Sequence, residues 1–355
     1  MLVLISIFGI LAALFLLFYP TFLPYRNLKS FPTVSIIIPA RNEEHNIGKL
    51  LDTINFQNYP LYEVIVVDDQ STDSTYEIAK SKGARVIKIS EKPRDFLGKP
   101  FACYVGYQNS CGEILIFVDA DVRFNKPDVL SRLVAEVIHF DGVVSIWPYH
   151  KIKSFYENFS SIYAIISSMA SRSFSLISKR VTIKGLYGPL IAVKRSHYEH
   201  IGTHKAVRRE VVEDFKLGQI FAENGIPIKN YLGGDDIYFR MYPGGLRDLW
   251  KGWTKNSALG AGTVNWGVVI PILLFLIGSL IPALWITTKP FFILYLVNAF
   301  LIDIFCRKVG NFWFIVPVFY PLFVVFTLSI IIYSFYSTYI LGSVEWKGIK
   351  ISTKG

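Results

Sequence analysis

The apolar run ILIFV (114–118) ends in Asp119, Ala120 and Asp121, two carboxylates separated by one residue. At a strand end, Asp-x-Asp becomes a turn whose side chains can face one crevice. Carboxylates held a few ångströms apart raise each other's pKa and destabilise the fold unless a cation lies between them. A divalent ion removes that penalty. Mg2+ or Mn2+ takes one or two carboxylates and fills its remaining positions with water and substrate phosphates. The competing use is a turn or helix cap within DVRFNKPDVL (121–130). The expected metal ligands are Asp121 and Asp119.

Other polar groups accompany this pair. Asp68, Asp69 and Asp73 follow the apolar run EVIVV (63–67), where an aspartate can accept from a base imide N–H or hold ribose hydroxyls. Asp69 is assigned to ligand, and Asp73 to an Asx-turn and the cap of a helix starting near Ser74. Glu213 and Asp214, far along the chain, supply a separate carboxylate able to act as general base on an acceptor hydroxyl. Their plainer use is to balance the dipole in a helix's first turn. Gly98 and Lys99 stand just ahead of the expected helix in GKPFACYVGYQNS (98–110). There, free backbone N–H groups and an ammonium both suit a phosphate, the alternative being a solvated surface lysine. His197, His200 and His204 are spaced for zinc on a helix, but Gly202 interrupts it and no other ligand type lies nearby. His204 is kept as a candidate substrate contact. G-x-S-x-G, a Walker lysine loop and C-x-x-C do not occur.

The elements that must position these groups begin at Val34. VSIIIPA (34–40), a helical stretch from Asn46 to Phe56, YEVIVVDD (62–69), STYEIAKSKG (74–83) and RVIKI (85–89) follow one another. Continuous Val/Ile runs separated by helix-length segments argue for a parallel sheet covered on both faces. Such a doubly wound α/β domain binds ligands at the carboxyl ends of its strands. PARNEE (39–44), DDQSTD (68–73) and DAD (119–121) sit at three such ends and describe one crevice. Residues 155–180 mix apolar and small polar residues at helical spacing and read equally as core packing or membrane-surface contact. RREVVEDFKLGQIFAENG (208–225) reads as a helix stopped by Gly225.

The 355 residues are 52% hydrophobic with a net charge of +10, and the apolar weight gathers at the two ends. Uncharged runs in residues 1–19 and from about 266 to 335 approach the roughly 20 residues a bilayer crossing requires. The first run lacks a charged n-region and a small-x-small cleavage site, so it reads as a retained anchor. Arg26 and Lys29 behind it put the following domain on the cytoplasmic face of the cell membrane. The expected organisation is an anchor at 1–25, an α/β domain at 33–262, membrane helices at 263–340 and a basic tail at 341–355. About three C-terminal spans are expected, near 266–287, 290–306 and 312–336; the middle one is short and holds Asp303, which suits a re-entrant or interfacial segment. The positive charge suits anionic lipid or a polyanionic ligand. Nucleic acid is not expected as a partner, because the polar domain has no basic run with interleaved aromatics. Cys103, Cys111 and Cys306 are an odd set without paired spacing, as for small buried residues in a reducing compartment.

Taken in order, SIIIPARNEE, VIVVDDQSTD, GK, FVDADV, GP, IGTHK and VEDFKLG resemble the inverting family 2 glycosyltransferases of the GT-A fold over nearly all of residues 33–225. FRMY, GWTKN, GAG, RKVG and VEWKG further along resemble, more narrowly, the membrane-bound diaponeurosporenoate (carotenoid) glycosyltransferases and their relatives. The resemblance implies a Rossmann-like, mostly parallel sheet and a nucleotide pocket lined by Pro39, Ala40, Arg41 and Glu43, with Asp69 and its neighbour Asp68 at the base. It places Asp119 near the ribose and metal, Asp121 on the metal, and makes Asp214 the catalytic base. Lys99 and the metal, Mn2+ or Mg2+, would stabilise the leaving nucleoside diphosphate. The implied reaction is transfer from a nucleotide sugar, a UDP-sugar, to a membrane lipid such as a carotenoid, another isoprenoid or a glycolipid. Processive members carry Q-x-x-R-W after the base; LRDLWKGWTKN (246–256) stands there instead, which weakens a polysaccharide-synthase reading. Arg247, Trp250 and Trp253 join Glu213 and His204 as candidate acceptor or phosphate contacts. A non-catalytic nucleotide-sugar-binding membrane protein is the remaining alternative, and intact Asp121 and Asp214 argue against it.

Overall fold

The computed structural model describes residues 1–210, 213–260, 266–341, 343–346 and 349–352. The chain divides into two compact units, one of Thr21–Tyr149 and Thr182–Phe239, the other of Met1–Pro20, His150–Val181 and Arg240–Gly355. The boundary expected at 262/263, part of GAG (260–262), the end of VEWKG (344–348) and Val211–Val212 of the 208–225 segment lie outside the described residues.

The strands are β1 (Val34–Ala40), β2 (Tyr62–Asp68), β3 (Arg85–Lys88), β4 (Ile114–Val118), β5 (Val122–Phe124), β6 (Val143–Trp147), β7 (Tyr149–His150), β8 (Leu190–Lys194), β9 (Ile228–Leu232) and β10 (Ile237–Phe239). The main sheet of the first unit has the order β3-β2-β1-β4-β8-β6-β9. β1 pairs in parallel with both β2 and β4, β2 with β3, and β6 with β9. β8 runs antiparallel to both of its neighbours, β4 and β6, so the sheet is mostly parallel. β5 and β10 form a separate antiparallel pair.

Alternation along β1 distributes its residues between two cores. Ile36 and Ile38 join one layer with Leu50 of α2 (Ile47–Asn55) and Leu133 of α5 (Val129–Phe140). Ile37 joins the other with Cys103 of α4 (Gly98–Gln108) and Leu217 and Phe221 of α8 (Glu213–Glu223). This two-sided burial is why β4 is continuously apolar and β1 is so but for Ser35. α8 stops at Gly225, which takes a positive φ of 74°; there the Gly225 and Ile226 N–H groups donate back to Ala222 and Phe221 carbonyls. The three cysteines are free thiols.

The second unit holds α1 (Leu2–Leu16), α6 (Ser161–Ala170), α9 (Leu246–Gly260), α10 (Trp266–Leu284), α11 (Lys289–Val309), α12 (Ile315–Val318) and α13 (Tyr320–Tyr336). α10 and α11 are long and apolar enough, by length and composition, to cross a membrane. α1, with 15 residues, spans about 22 Å at 1.5 Å per residue, short of a hydrocarbon core of about 30 Å. The expected short middle span is instead the 21-residue α11, in which Asp303 pairs with Arg307 one turn on at 2.7 Å. The expected span at 312–336 is broken at Phe319 between Pro317 and Pro321, leaving the 17-residue α13. Residues 155–180 do not form one helix: a 3-10 turn (Phe155–Ser160) leads into α6, whose Ile162, Ile165 and Met169 are buried, and a loop follows. Where a basic tail was expected, Ser343–Trp346 and Ile349–Ser352 pair as antiparallel strands.

Candidate active site

Because β1 lies between β2 and β4, the carboxyl ends of these three strands are neighbours. The Asp69 N–H donates to the Ala40 carbonyl at 2.8 Å. Arg41 Nη1 donates to the Asp69 carbonyl at 3.2 Å and lies 3.8 Å from its Oδ2. Asp69 is only 6% exposed and its Oδ1 has no hydrogen-bond partner among the described residues. Leaving such an acceptor unmatched costs about 1–3 kcal/mol. The start of α4 approaches closely: a Cβ on Gly98 would sit 2.6 Å from Asp69 Oδ2. The Asp68 Oδ1 accepts from the Ser71 N–H at 3.0 Å and closes the turn after β2. Asp73 accepts from the N–H groups of Thr75 and Glu44, each at 3.1 Å, and ties the two loops together. The Ala40 side chain is buried in the core, so only its backbone borders the crevice. Pro39 is half-buried beside it, and Glu43 accepts from Asn46 Nδ2 at 2.9 Å.

Beyond β4, the Val122 N–H donates to the Asp119 carbonyl at 3.1 Å and closes the turn that carries Ala120 and Asp121. Lys99 is the second residue of α4 rather than a residue ahead of it. Its Nζ lies 2.8 Å from Asp119 Oδ1 and 3.3 Å from Glu213 Oε1, and it reaches the Gly188 carbonyl at 3.5 Å. Burial works to lower its pKa, but Asp119, Glu213 and Asp214 outweigh burial and hold it well above the ordinary lysine value. One ammonium thus joins the acid at the end of β4 to the two acids opening α8. Burial and then the Glu213 charge push Asp214 up to about 7, against Lys99 and a 2.9 Å hydrogen bond from the Phe215 N–H.

Gly188 packs against this carboxylate so closely that a Cβ would collide with it. Gly188→Ala is expected to displace Asp214 and lower kcat about 10²-fold, the scale of a 1 Å misplacement, with little change in thermal unfolding. Transfer kinetics beside a melting curve check it.

Among the described residues no cation is in salt-bridge contact with Asp121. Burial, then Asp119 and Glu43, push its carboxyl up to about 7; Arg123 and Lys99 oppose this only in part. Sequence reasoning missed Arg123. Its buried guanidinium donates to the Ala120 carbonyl at 2.8 Å, the Val122 carbonyl at 2.6 Å and Asn46 at 3.1 and 3.3 Å, clamping the backbone on both sides of Asp121. Its partners are chiefly backbone carbonyls, which leave no signal in the sequence.

Among the described residues no group of three His, Cys, Asp or Glu side chains is gathered to hold a metal by itself. Two acids with one raised pKa fit the other kind of donor set, one or two carboxylates completed by water and substrate phosphates. The raised values of Asp121 and Asp214 carry a sign. The folded state keeps protons that the unfolded chain has lost, so their contribution to stability falls as pH rises from about 4 to about 7. Metal-free protein is therefore expected to melt at a lower temperature at pH 8 than at pH 6, with Mn2+ reducing the difference; scanning calorimetry with and without chelator measures it.

His204 is a core residue. It is 2% exposed, its N–H donates to the Tyr198 hydroxyl at 3.0 Å, its Nδ1 lies 2.6 Å from that oxygen, and its ring centroid is 4.9 Å from that of Phe117. Burial, with Lys99 second, lowers its pKa to about 3, so the ring is neutral. This satisfied environment replaces the expected substrate contact. Arg247, Trp250 and Trp253 belong to α9 in the other unit. There Trp253 is buried with its Nε1 donating to Ser160 Oγ at 2.8 Å, Trp250 packs on Phe326 and Tyr333, and Arg247 is exposed.

A mostly parallel sheet of this order, with acids collected at the carboxyl ends of adjacent strands, is the architecture of a GT-A-type glycosyltransferase. Residues 35–214 match the family model described as Glycosyl transferase family 2, and the chain belongs to that family and is a glycosyltransferase. It is similar to the 4,4'-diaponeurosporenoate glycosyltransferase of Staphylococcus aureus strain USA300, with 35% identity over 331 residues, 90% of this chain and 88% of that one. The protein of the same name in strain MRSA252 is 34% identical over the same span. In fold it is similar to a mannosyltransferase of Pyrobaculum calidifontis, solved in complex with GDP-Man and Mn2+, at a TM-score of 0.59 and 17% identity over 95% of this chain and 99% of that one.

Proposed function

We propose that the chain catalyses inverting, metal-dependent transfer of a hexose from a nucleotide sugar, a UDP-sugar, to a membrane lipid of the carotenoid or isoprenoid class. The observation that carries this reading is the single Lys99 ammonium shared by Asp119 and Glu213, with Asp214 and Asp121 both pushed up to about 7 beside it. Asp69, with its unmatched oxygen, and Arg41 receive the nucleoside. Asp119 and Asp121 would hold a divalent ion, which when bound would offset the charge of the diphosphate. Lys99, in the first turn of α4, meets the negative charge that develops on the leaving diphosphate. The acceptor oxygen attacks the anomeric carbon: a hydroxyl gives its proton to Asp214 as it does so, whereas a carboxylate attacks already ionised. The new C–O bond forms opposite the breaking one, the electron pair leaves with the diphosphate, and configuration inverts in one displacement. A base poised near 7 suits proton transfer at neutral pH.

The acceptor class follows the name of the Staphylococcus aureus relatives, which denotes a carotenoid carboxylate. α1, α10, α11 and α13 hold the chain in the cell membrane as a multi-pass protein. Arg26, Lys29, Arg307 and Lys308 mark the cytoplasmic face, where the catalytic part lies.

Membranes containing the protein, incubated with labelled UDP-sugars and Mn2+ and analysed by mass spectrometry of the lipid extract, test the reading. A lipid gaining one hexose, abolished by chelator, is expected. Long polymer, or nucleotide-sugar binding without turnover, would overturn it.

A further inference from the structure

The loop that follows α6 is fastened to the end of α1 by two backbone hydrogen bonds: Leu176 N–H to the Phe15 carbonyl and Tyr19 N–H to the Phe174 carbonyl, both 2.8 Å. It therefore stands at the level where α1 ends. α10 reaches the same side. A Cβ on Gly9 would touch the Leu274 carbonyl and Gly278, and one on Gly278 would touch the Ile5 carbonyl, so the two helices cross antiparallel at these glycines. Counted from the crossing at 1.5 Å per residue, Leu16 lies about 10 Å away and Trp266 about 18 Å away on the same side. With the crossing set at the bilayer centre, half of a hydrocarbon core of about 30 Å falls between them.

Large apolar side chains are left in the open at this level. Phe18 is 49%, Tyr19 48%, Leu176 49% and Trp266 73% exposed. Lys179 and Arg180 end the loop, exposed and with no carboxylate partner among the described residues. Aromatic rings sit at the headgroup level of a bilayer, and unpaired cations there are drawn to anionic lipid. Water alone favours the cations but not four open apolar side chains beside them.

We propose that the loop Ser171–Arg180 is an interfacial anchor, with Leu176 seated at the acyl boundary and Lys179 and Arg180 on the headgroups of an anionic leaflet. The assignment rests on the membrane placement given above and not on catalysis.

The test uses full-length protein in lipid nanodiscs. With Cys111→Ser removing the exposed thiol and Cys103 and Cys306 buried, a nitroxide is placed through Leu176→Cys. Its collisions with oxygen, which partitions into lipid, and with a water-soluble nickel chelate are read by electron paramagnetic resonance. Labels at exposed Leu322 of α13 and exposed Lys49 of the α/β unit serve as lipid and water references. Oxygen contact at position 176 is expected to exceed nickel contact, at a depth shallower than 322. In discs containing phosphatidylglycerol the docked population should exceed that in phosphatidylcholine alone by about fivefold per cation, and the double variant Lys179→Gln, Arg180→Gln should lose the difference. A label at 176 that behaves like the one at Lys49 overturns the anchor. Equal behaviour in both lipids overturns the role of the cations. A water-exposed label at 322 overturns the membrane placement itself, whatever position 176 shows.

Discussion

Asp121→Asn is expected to lower kcat/KM for sugar transfer by about 10²–10³-fold or more, the scale on which single electrostatic contacts to a transition state act, while raising the melting temperature of metal-free protein at pH 8. The two effects have one origin. In the metal-free fold the Asp121 carboxyl is pushed up to about 7 by burial, Asp119 and Glu43, so ionising it at pH 8 works against folding. Asparagine keeps the shape and removes the charge, which relieves that repulsion. It also removes the oxygen anion that a divalent ion would use. Arg123 continues to clamp the Ala120 and Val122 carbonyls in the variant, so the turn itself should survive. Loss through misfolding would lower the melting temperature; loss through the metal site raises it. Manganese titration in the presence of nucleotide, followed by paramagnetic resonance, should show weakened binding in parallel. Retained activity, or a loss with unchanged manganese binding, would undo the assignment of Asp121 to the metal.

What the sequence displayed and what it concealed divides along local and non-local causes. Strands β1, β2 and β4 were legible because burial on both faces demands runs rich in Val and Ile, and a polar cluster follows each run at its carboxyl end. The antiparallel sense of β8 was not, since LIAVK (190–194) has the same composition as a parallel strand and its direction is set by partners far away in the chain. The apolar ends of the chain were harder to divide for a related reason. Hydropathy over 312–336 is indifferent to Pro317 and Pro321, which break the helix, while Asp303 counts against a long helix where Arg307, one turn on in α11, pairs with it. At the site, residue type pointed to Asp119, Asp121, Lys99 and Asp214 separately. Only the fold reveals that Lys99 is the ion that joins the first of these to the acids of α8. His204 stood out by its type within a histidine-rich stretch, and neither shows that Tyr198 satisfies it inside the core. Arg123 was overlooked because its partners are carbonyls, which leave no mark in a sequence.

Asp214→Asn is expected to divide acceptors by their protonation state. A hydroxyl acceptor must lose a proton to attack, and removing a positioned base costs about 10²–10⁴-fold in rate. A carotenoid carboxylic acid is already ionised at pH 7 and needs no such transfer, so its loss should stay within about tenfold. The pH profiles should divide in the same way. Asp214 is pushed up to about 7 by burial and then Glu213, so its basic form grows as pH rises through that value. With an alcohol, kcat/KM should therefore climb from pH 6 to pH 8 in the native enzyme; with a carboxylate this limb should be missing, and Asp214→Asn should erase it for the alcohol too. Glu213 provides the control that separates a base from a merely structural acid. Glu213→Gln removes the charge that, after burial, does most to raise Asp214, leaves Lys99 its contact with Asp119, and should move the limb to lower pH without abolishing it. If Asp214→Asn instead stops transfer to a carboxylate completely, the carboxyl of Asp214 is required for something other than taking a proton, and the base assignment falls.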